Sequence, residues 1–401
     1  METIHYPFFA TCPKGIAGIL LTELAALGAA PTKESVAGVH FGGTLETAYR
    51  ACLWSRTANH ILAPIVRVAI TNADQLYSAI REIDWDAHLS VHSSFLVDFT
   101  GHGAGIDHSQ FGAQKVKDGI VDWFRDRCGD RPSVDKTDPA LRIHVHLEKG
   151  MAIVSIGLSG RSLHERGYRT RSVAAPMKEN LAAAILLRLG WPEIAARGGA
   201  LIDPMCGSAT LLIEGAWMAG DVAPGLMRSR FGFEGWVKHD QSIWESLVSE
   251  AHARSARGLA TLPTMVGFDH DERALNAARA NIQAAGLRGR IHVQRAELDD
   301  VGDTDDAFVQ HGLVVMNPPY GERLGKEAEV AGLYRRIGHV LRTRFRGWRA
   351  GMFTAAPEYG KRMGLRANKI YSFFNGALPC KLVCFEVVEA AFVHADSAPD
   401  T

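Results

Sequence analysis

The stretch Leu313-Val314-Val315-Met316-Asn317-Pro318-Pro319-Tyr320 carries an apolar run into a pair of prolines, with Gly312 on its other flank. A run of this length reads as a buried strand, and prolines end a strand ladder because they lack the backbone donor. Asn317 is therefore expected at the carboxyl edge of a strand, the edge at which open α/β sheets bind ligands. A rigid Pro318-Pro319 turn would fix the Pro318 carbonyl beside the Asn317 amide, giving two fixed acceptors. An exocyclic amino group of a nucleobase offers two donors, and holding both points its nitrogen lone pair at an electrophile. Tyr320 could stack on that base once it leaves its own stack. The plainer alternative is a strand end followed by a proline-rich turn.

Upstream, strands and helices alternate from Ala200 onward, the pattern of a parallel sheet. Ala200 to Asp203 reads as a strand, and Pro204-Met205-Cys206-Gly207-Ser208-Ala209-Thr210 as the turn into a helix beginning near Leu211. Gly207, Ser208 and Ala209 are small enough for a ligand to approach the backbone. Asp203 puts a carboxylate at the strand end, where it would oppose a phosphate and suits a cation such as the amino group and sulfonium of S-adenosylmethionine. Met265 to Asp269 is the next strand, followed by a helix over 272–285 with Leu275, Ala278 and Ile282 inward and Gly286 as its stop. An acid after the second strand of such a sheet accepts from ribose hydroxyls, so Asp269 takes that role and Asp271 that of helix cap. Ile291 to Arg295 is a third strand, with Glu297 placed to meet an adenine amino group. The insertion 217–264 holds Phe231, Phe233, Trp236 and Trp244, which either reach a substrate base or form a satellite core.

Downstream, Leu333, Ile337, Val340 and Leu341 mark one face of a helix. Arg335, Arg336, Arg342, Arg344, Arg346 and Arg349 decorate it and its exit. So many like charges near the site favour a polyanionic substrate, the alternative being a solvated basic face. A strand begins at Arg349, and two apolar runs flanking Asn375-Gly376 predict a closing hairpin. Pro379-Cys380 to Cys384 is one residue too long for a zinc-deaminase motif, and no metal is expected.

The first half has no constellation of catalytic residues. Residues 1–50 read as a small α/β unit with a helix over 16–27. Residues 51–160 read as a second unit with strands at 95–99, 141–147 and 152–158, and a helix over 111–127 whose Lys115 and Lys117 face away from its apolar side. The connector 161–175 carries Arg161, Arg166, Arg169 and Arg171, which either meet phosphates or belong to a solvated linker. A helix opened by Pro176 follows, and the end of the chain, 393–401, reads as a disordered tail.

A length of 401 residues allows two or three domains. The formal net charge is +0, so nucleic-acid binding would have to use local basic patches. The 6 cysteines form no CxxC pair, which argues against a zinc site or disulfide scaffold and fits a reducing compartment. With no charged and apolar leader and no run of membrane-spanning length, the expected location is the cytoplasm, without a membrane partner.

Asp203-Pro204-Met205-Cys206-Gly207-Ser208-Ala209-Thr210, Asp269, Asn317-Pro318-Pro319-Tyr320 and the closing hairpin resemble a class I methyltransferase that uses S-adenosylmethionine. The segments 163–169, 176–180 and 374–378 narrow the resemblance to the THUMP-domain methyltransferases that modify guanine N2 in large-subunit ribosomal RNA. It covers nearly the whole chain. It implies a ferredoxin-like unit over 1–50, a THUMP RNA-binding domain over 51–160, the connector 161–175 and a Rossmann-like methyltransferase domain over 176–392. That domain would hold a mostly parallel seven-stranded sheet with an antiparallel terminal hairpin. It also implies that Asn317, Pro318, Pro319 and Tyr320 hold a flipped base. Asp203, Pro204, Cys206, Gly207, Ser208, Asp269, Glu297 and Asn317 would bind the cofactor; Glu297 stands where the family more often shows Asp. Lys115, Lys117, Arg166, Arg169, Arg171, Arg335 and Arg336 are the candidate RNA contacts. Some bacterial members carry a second methyltransferase domain behind the first, and this chain is expected to stop before one. The RNA would be 23S rRNA or a ribosomal precursor. The alternatives are a tRNA guanine-N2 methyltransferase, an adenine-N6 DNA methyltransferase, which shares the tetrapeptide, and a non-enzymatic RNA-binding assembly factor.

Overall fold

The computed structural model describes residues 4–171, 177–302, 311–319 and 327–393. Tyr320, Pro176 and the expected tail from 394 onward lie outside the described residues. The described residues divide into two compact units: those within Met1–Cys12, Leu20–Leu163 and Arg228–Glu250 form the first, and those within Pro13–Ile19, His164–Met227 and Ala251–Thr401 the second.

The first unit is built on an eight-stranded mixed sheet in the order β2-β3-β1-β4-β8-β7-β5-β6. Its strands are β1 (Tyr6–Thr11), β2 (Thr32–Ser35), β3 (Gly38–Gly43), β4 (His60–Ala69), β5 (Ser94–Gly101), β6 (Ser133–Val134), β7 (Leu141–Glu148) and β8 (Met151–Gly157). The helices in this stretch of chain are α1 (Ala17–Ala26), α2 (Leu45–Trp54), α3 (Ala73–Arg81) and α4 (Ser109–Cys128). The long strand β4 pairs antiparallel with β1 near its start and with β8 along its length, so the two expected N-terminal units share one sheet. Alternation holds where it was expected: Leu141, Ile143, Val145 and Leu147 of β7 are all buried.

The second unit follows the alternating pattern. It contains α5 (Glu179–Arg188), α6 (Trp191–Ala196), β9 (Ala200–Asp203), α7 (Thr210–Ala219) and, after the insertion, the end of α8 (Gln241–Gly258). Then come β10 (Met265–Asp269), α9 (Glu272–Ala284), β11 (His292–Arg295), β12 (Gly312–Met316), α10 (Glu327–Arg344), β13 (Arg349–Thr354), β14 (Lys369–Asn375) and β15 (Leu378–Glu386). The sheet order is β11-β10-β9-β12-β13-β15-β14, parallel from β11 to β13 and antiparallel through β15 and β14. All five residues of β12 are buried, as a strand covered on both faces requires. Val340 and Leu341 of α10 join Val314, Met316 and Met352 in one apolar cluster on the sheet. Asp271 caps α9 by accepting from the Arg273 amide, and Leu275, Ala278 and Ile282 point inward.

The aromatic insertion resolves to the core reading. The segment 228–250 clusters with the first unit, although the sequence placed it within 176–392. Phe231, Phe233 and Trp236 are buried there, Phe233 stacked on Tyr49 with ring centroids 4.1 Å apart. Trp236 donates to His88 Nδ1 at 3.1 Å.

In β10, Gly267 has no room for a side chain: a Cβ would lie 2.6 Å from Leu212 Cδ1 and 2.9 Å from Cys206 Cβ. Gly267→Ala is expected to lower stability by about 1–3 kcal/mol through overpacking, read as a lower midpoint in urea denaturation. An unchanged midpoint would mean that the β10–loop packing is slack.

Candidate functional site

The strand order reverses at β9, with β10 on one side and β12 on the other, so the loops leaving their carboxyl ends open a crevice. Parallel registers set Asp203 opposite Gly267 and Ile202 opposite Val314, which brings the ends of the three strands to one edge. The crevice is a cavity of about 530 Å³. It is lined by Asp203, Pro204, Cys206, Gly207, Ser208, Asp269, Glu297, Asn317 and Pro319 among others. All the candidate cofactor residues therefore meet in one place. Pro318 is buried and is not part of that lining.

The turn after β9 is shaped by backbone hydrogen bonds. Asp203 accepts from the Met205 amide at 3.1 Å, the Cys206 amide donates to the Phe268 carbonyl at 2.8 Å, and the Ala209 amide to the Cys206 carbonyl at 2.8 Å. Gly207 has φ +53° and its amide donates to Asp269 Oδ2 at 2.9 Å. A Cβ built on Gly207 meets nothing within 4 Å, so a side chain here would take up space in the cavity. The other Asp269 oxygen accepts from the Asp271 amide at 3.0 Å. Each carboxylate oxygen still has a lone pair for a hydroxyl.

Two features are costly without a ligand. Asp203 is buried, and burial, with Asp269 adding repulsion, pushes its carboxyl up to about 8 against a hydrogen bond from Met205 that pulls it down. Asn317 Oδ1 is buried without a hydrogen-bond partner among the described residues. Burial also raises the Cys206 thiol, so at neutral pH it is a neutral wall of the cavity.

Several lining residues were not anticipated: Met177, Thr210, Leu211, His270, Leu298 and Leu333. Most are apolar or lie in helix turns, and nothing local to them points to a ligand. Thr210 had the one usable signal, its place in the first turn after a small-residue loop.

The proposed RNA contacts divide. Arg166 and Arg169 must be corrected, because they are not free to meet phosphates. Arg166 is fully buried and paired with Glu214 at 3.5 Å. Arg169 turns inward, with Nε donating to Glu179 at 2.8 Å and Nη2 to the Met177 carbonyl at 2.7 Å. Arg171 and Arg335 are exposed. Arg336 is exposed, lines the cavity and pairs with Asp299 at 2.8 Å. Lys115 pairs with Asp74 at 3.0 Å and Lys117 with Asp118. The arginine-rich face of α10 and its exit is also partly neutralised, since Arg346 pairs with Glu389 and Arg349 with Glu386, while Arg342 turns to the Met363 carbonyl. The excess positive charge near the site is smaller than the sequence implied.

Comparison with known families adds the decisive observation: the family described as RMKL-like, methyltransferase domain, matches residues 166–383. The chain belongs to this RMKL-like methyltransferase family. The RlmL ferredoxin-like domain matches residues 7–62 and the THUMP domain residues 71–157. The ribosomal RNA large subunit methyltransferase K/L of Syntrophotalea carbinolica is 49% identical over 390 residues, 97% of this chain and 55% of the relative. The chain thus spans about half the length of the curated relatives it matches. Among solved structures, SMU.472 complexed with SAH is similar with a TM-score of 0.84 and 29% identity, covering 96% of this chain and 98% of that one. A predicted N6-adenine-specific DNA methylase from Listeria monocytogenes is similar with a TM-score of 0.82 and 28% identity, covering 95% and 96%.

The methyl donor of an RMKL-like methyltransferase is S-adenosylmethionine, and the residues present fit it. Asp203 is a buried acid whose ionised form a cationic ligand would stabilise, and Gly207 leaves the space a ligand needs. No helix among the described residues is long and apolar enough to cross a membrane, and among them no group of three or more His, Cys, Asp or Glu could hold a metal ion.

The Asp203 shift has a consequence for stability. An unfolded chain ionises this carboxyl near the ordinary 3.8, whereas the fold keeps it protonated up to about 8. Between those values the unfolded state binds fewer protons, so stability falls as pH rises through the window. Asp203→Asn removes this dependence. The ligand-free variant should melt higher than the wild type at pH 8, with the gap shrinking towards pH 4. A gap that is constant with pH would contradict the assigned burial.

Proposed function

We propose that this chain transfers a methyl group from S-adenosylmethionine to the exocyclic N2 of a guanine in RNA, with 23S rRNA or a ribosomal precursor as substrate. The observation that carries the reading is Asn317 Oδ1, a buried acceptor at the end of β12 with no partner among the described residues, beside a cavity holding Asp203. A buried acceptor left unmade is costly, and an amino group brought to it would satisfy it. The names of the relatives, large-subunit methyltransferases K/L, support ribosomal RNA as the substrate class. The THUMP match over 71–157 supports RNA over DNA.

The donor supplies an activated methyl group on a sulfonium, so chemistry at the acceptor needs positioning above all. Asn317 and the Pro318 carbonyl hold the two hydrogens of the base amino group and aim its lone pair into the cavity. Tyr320 stacks on the flipped base. Asp203 would ionise beside the positive end of the donor, Asp269 would accept from its ribose hydroxyls and Glu297 from its adenine amino group. Nitrogen gains the methyl as the carbon–sulfur bond breaks, and the extra proton leaves the amino group for solvent. No general base is required. Arg171, Arg335 and Arg336, with Lys115 and Lys117 on the first unit, supply contacts to RNA phosphates.

The name of the Listeria structure favours a second reading, adenine N6 in DNA, because both bases present an amino group to the same acceptors. Asn317→Ala separates chemistry from binding. Methyl transfer to ribosomal RNA should fall at least about a hundredfold, with RNA affinity within a fewfold of wild type. Parallel loss of binding would sink the role given to Asn317, and methylation of DNA adenine by the wild type would replace the guanine reading. Arg335→Ala should weaken RNA binding and reduce the slope of log affinity against log salt by about 1. An unchanged slope would remove Arg335 from the interface.

A further inference from the structure

Asn281 is fully buried on α9, yet it is polar on a helix face that otherwise turns Leu275, Ala278 and Ile282 inward. Its amide is fully used. Oδ1 accepts from the Thr170 amide at 3.0 Å, the Arg171 amide at 3.1 Å and Thr170 Oγ1 at 3.4 Å. Nδ2 donates to the Arg171 carbonyl at 3.0 Å and to the Ser208 carbonyl at 3.2 Å. One side chain therefore ties the connector to the loop that lines the cavity.

Arg169 makes the same connection a second way. Nη1 donates to Ser208 Oγ at 3.4 Å, and Nη2 to Thr210 Oγ1 at 3.2 Å as well as to the Met177 carbonyl. Its charge is balanced by Glu179 at 2.8 Å. Met177, Ser208 and Thr210 all line the cavity. Behind Arg169 the connector is anchored again, through Arg166 and Tyr168, both on Glu214 Oε1.

The loop needs such holds. Gly207 and Ala209, on either side of Ser208, both have left-handed backbones, with φ of +53° and +64°. For Ala209 that conformation is unfavourable and persists where the surroundings over-determine it. Fixing the Ser208 carbonyl and hydroxyl from the connector side does so.

We propose that Asn281 and Arg169 are positioning residues for the methyl donor, fastening connector residues 169–171 to the loop at 207–210 so that donor affinity depends on the connector being docked. This rests on the assignment of the cavity to S-adenosylmethionine. Asn281→Asp keeps the volume and the acceptor but puts an oxygen against the Ser208 and Arg171 carbonyls. Calorimetry with S-adenosylhomocysteine should show Kd raised about tenfold or more, the scale of one or two lost buried hydrogen bonds. KM for the donor should rise in step, with kcat at saturating donor within about threefold. Should Asn281→Asp fail to fold, Arg169→Lys keeps the charge but has no planar fork to span the acceptors, and the same split is expected. A folded variant with unchanged Kd, or with kcat lowered and KM unchanged, overturns the proposal. Wild type that binds no S-adenosylhomocysteine overturns the cofactor assignment itself and this inference with it. Normal binding by both wild type and variant overturns the inference alone.

Discussion

The parallel register of β9 with β10 on one side and β12 on the other is the constraint on which the site depends. Asp203, Asp269 and Asn317 are 66 and 48 residues apart along the chain, yet each closes or follows a strand whose neighbours are set by backbone hydrogen bonds. A slip of one residue in either ladder would turn every side chain of that strand to the opposite face. It would also withdraw a carboxylate or an amide from the crevice. The reversal of strand order at β9 leaves that crevice open, because the loops on its two sides run to opposite faces.

Within this frame, the site is kept polar at a cost to the fold. Asp203 sits where its charge is disfavoured, and Asn317 keeps an acceptor out of water. Local choices that conflict with stability concentrate where ligands bind, because the ligand supplies what the fold withholds. The buried polar groups around the connector behave differently. Arg169 and Glu179 pair with each other and Asn281 satisfies the backbone of the connector and the loop, so they hold a shape without waiting for a ligand.

The elements with strong periodicity were legible residue by residue. β9 and β10 begin and end where the apolar runs and their terminal acids said they would, and Asp271 caps α9. The gathering of Asp203, Gly207, Asp269 and Asn317 followed from strand ends alone, since parallel strands share an edge. Charge was the less reliable guide. Arg166 and Arg169 looked like a solvated basic connector because their partners, Glu214 and Glu179, lie on other elements. The arginines of α10 find Asp299 and, at the helix exit, Glu386 and Glu389 in the same way. Tertiary pairing of this kind leaves no local trace. The aromatics at 231–244 joined the first unit's core for the same reason: their neighbours Tyr49 and His88 are over a hundred residues away. Asn281 did leave a trace, a polar residue three positions after the inward-facing Ala278, and that spacing was readable.

The inferred reaction is transfer of a methyl group to a guanine amino group in large-subunit RNA. It is tested most directly by nucleoside mass spectrometry of ribosomal RNA, transfer RNA and genomic DNA from cells with and without this chain. In cells without the chain, N2-methylguanosine is expected to be lost from large-subunit RNA and from no other pool. Loss of N6-methyladenine from DNA, or no change in any pool, would contradict it.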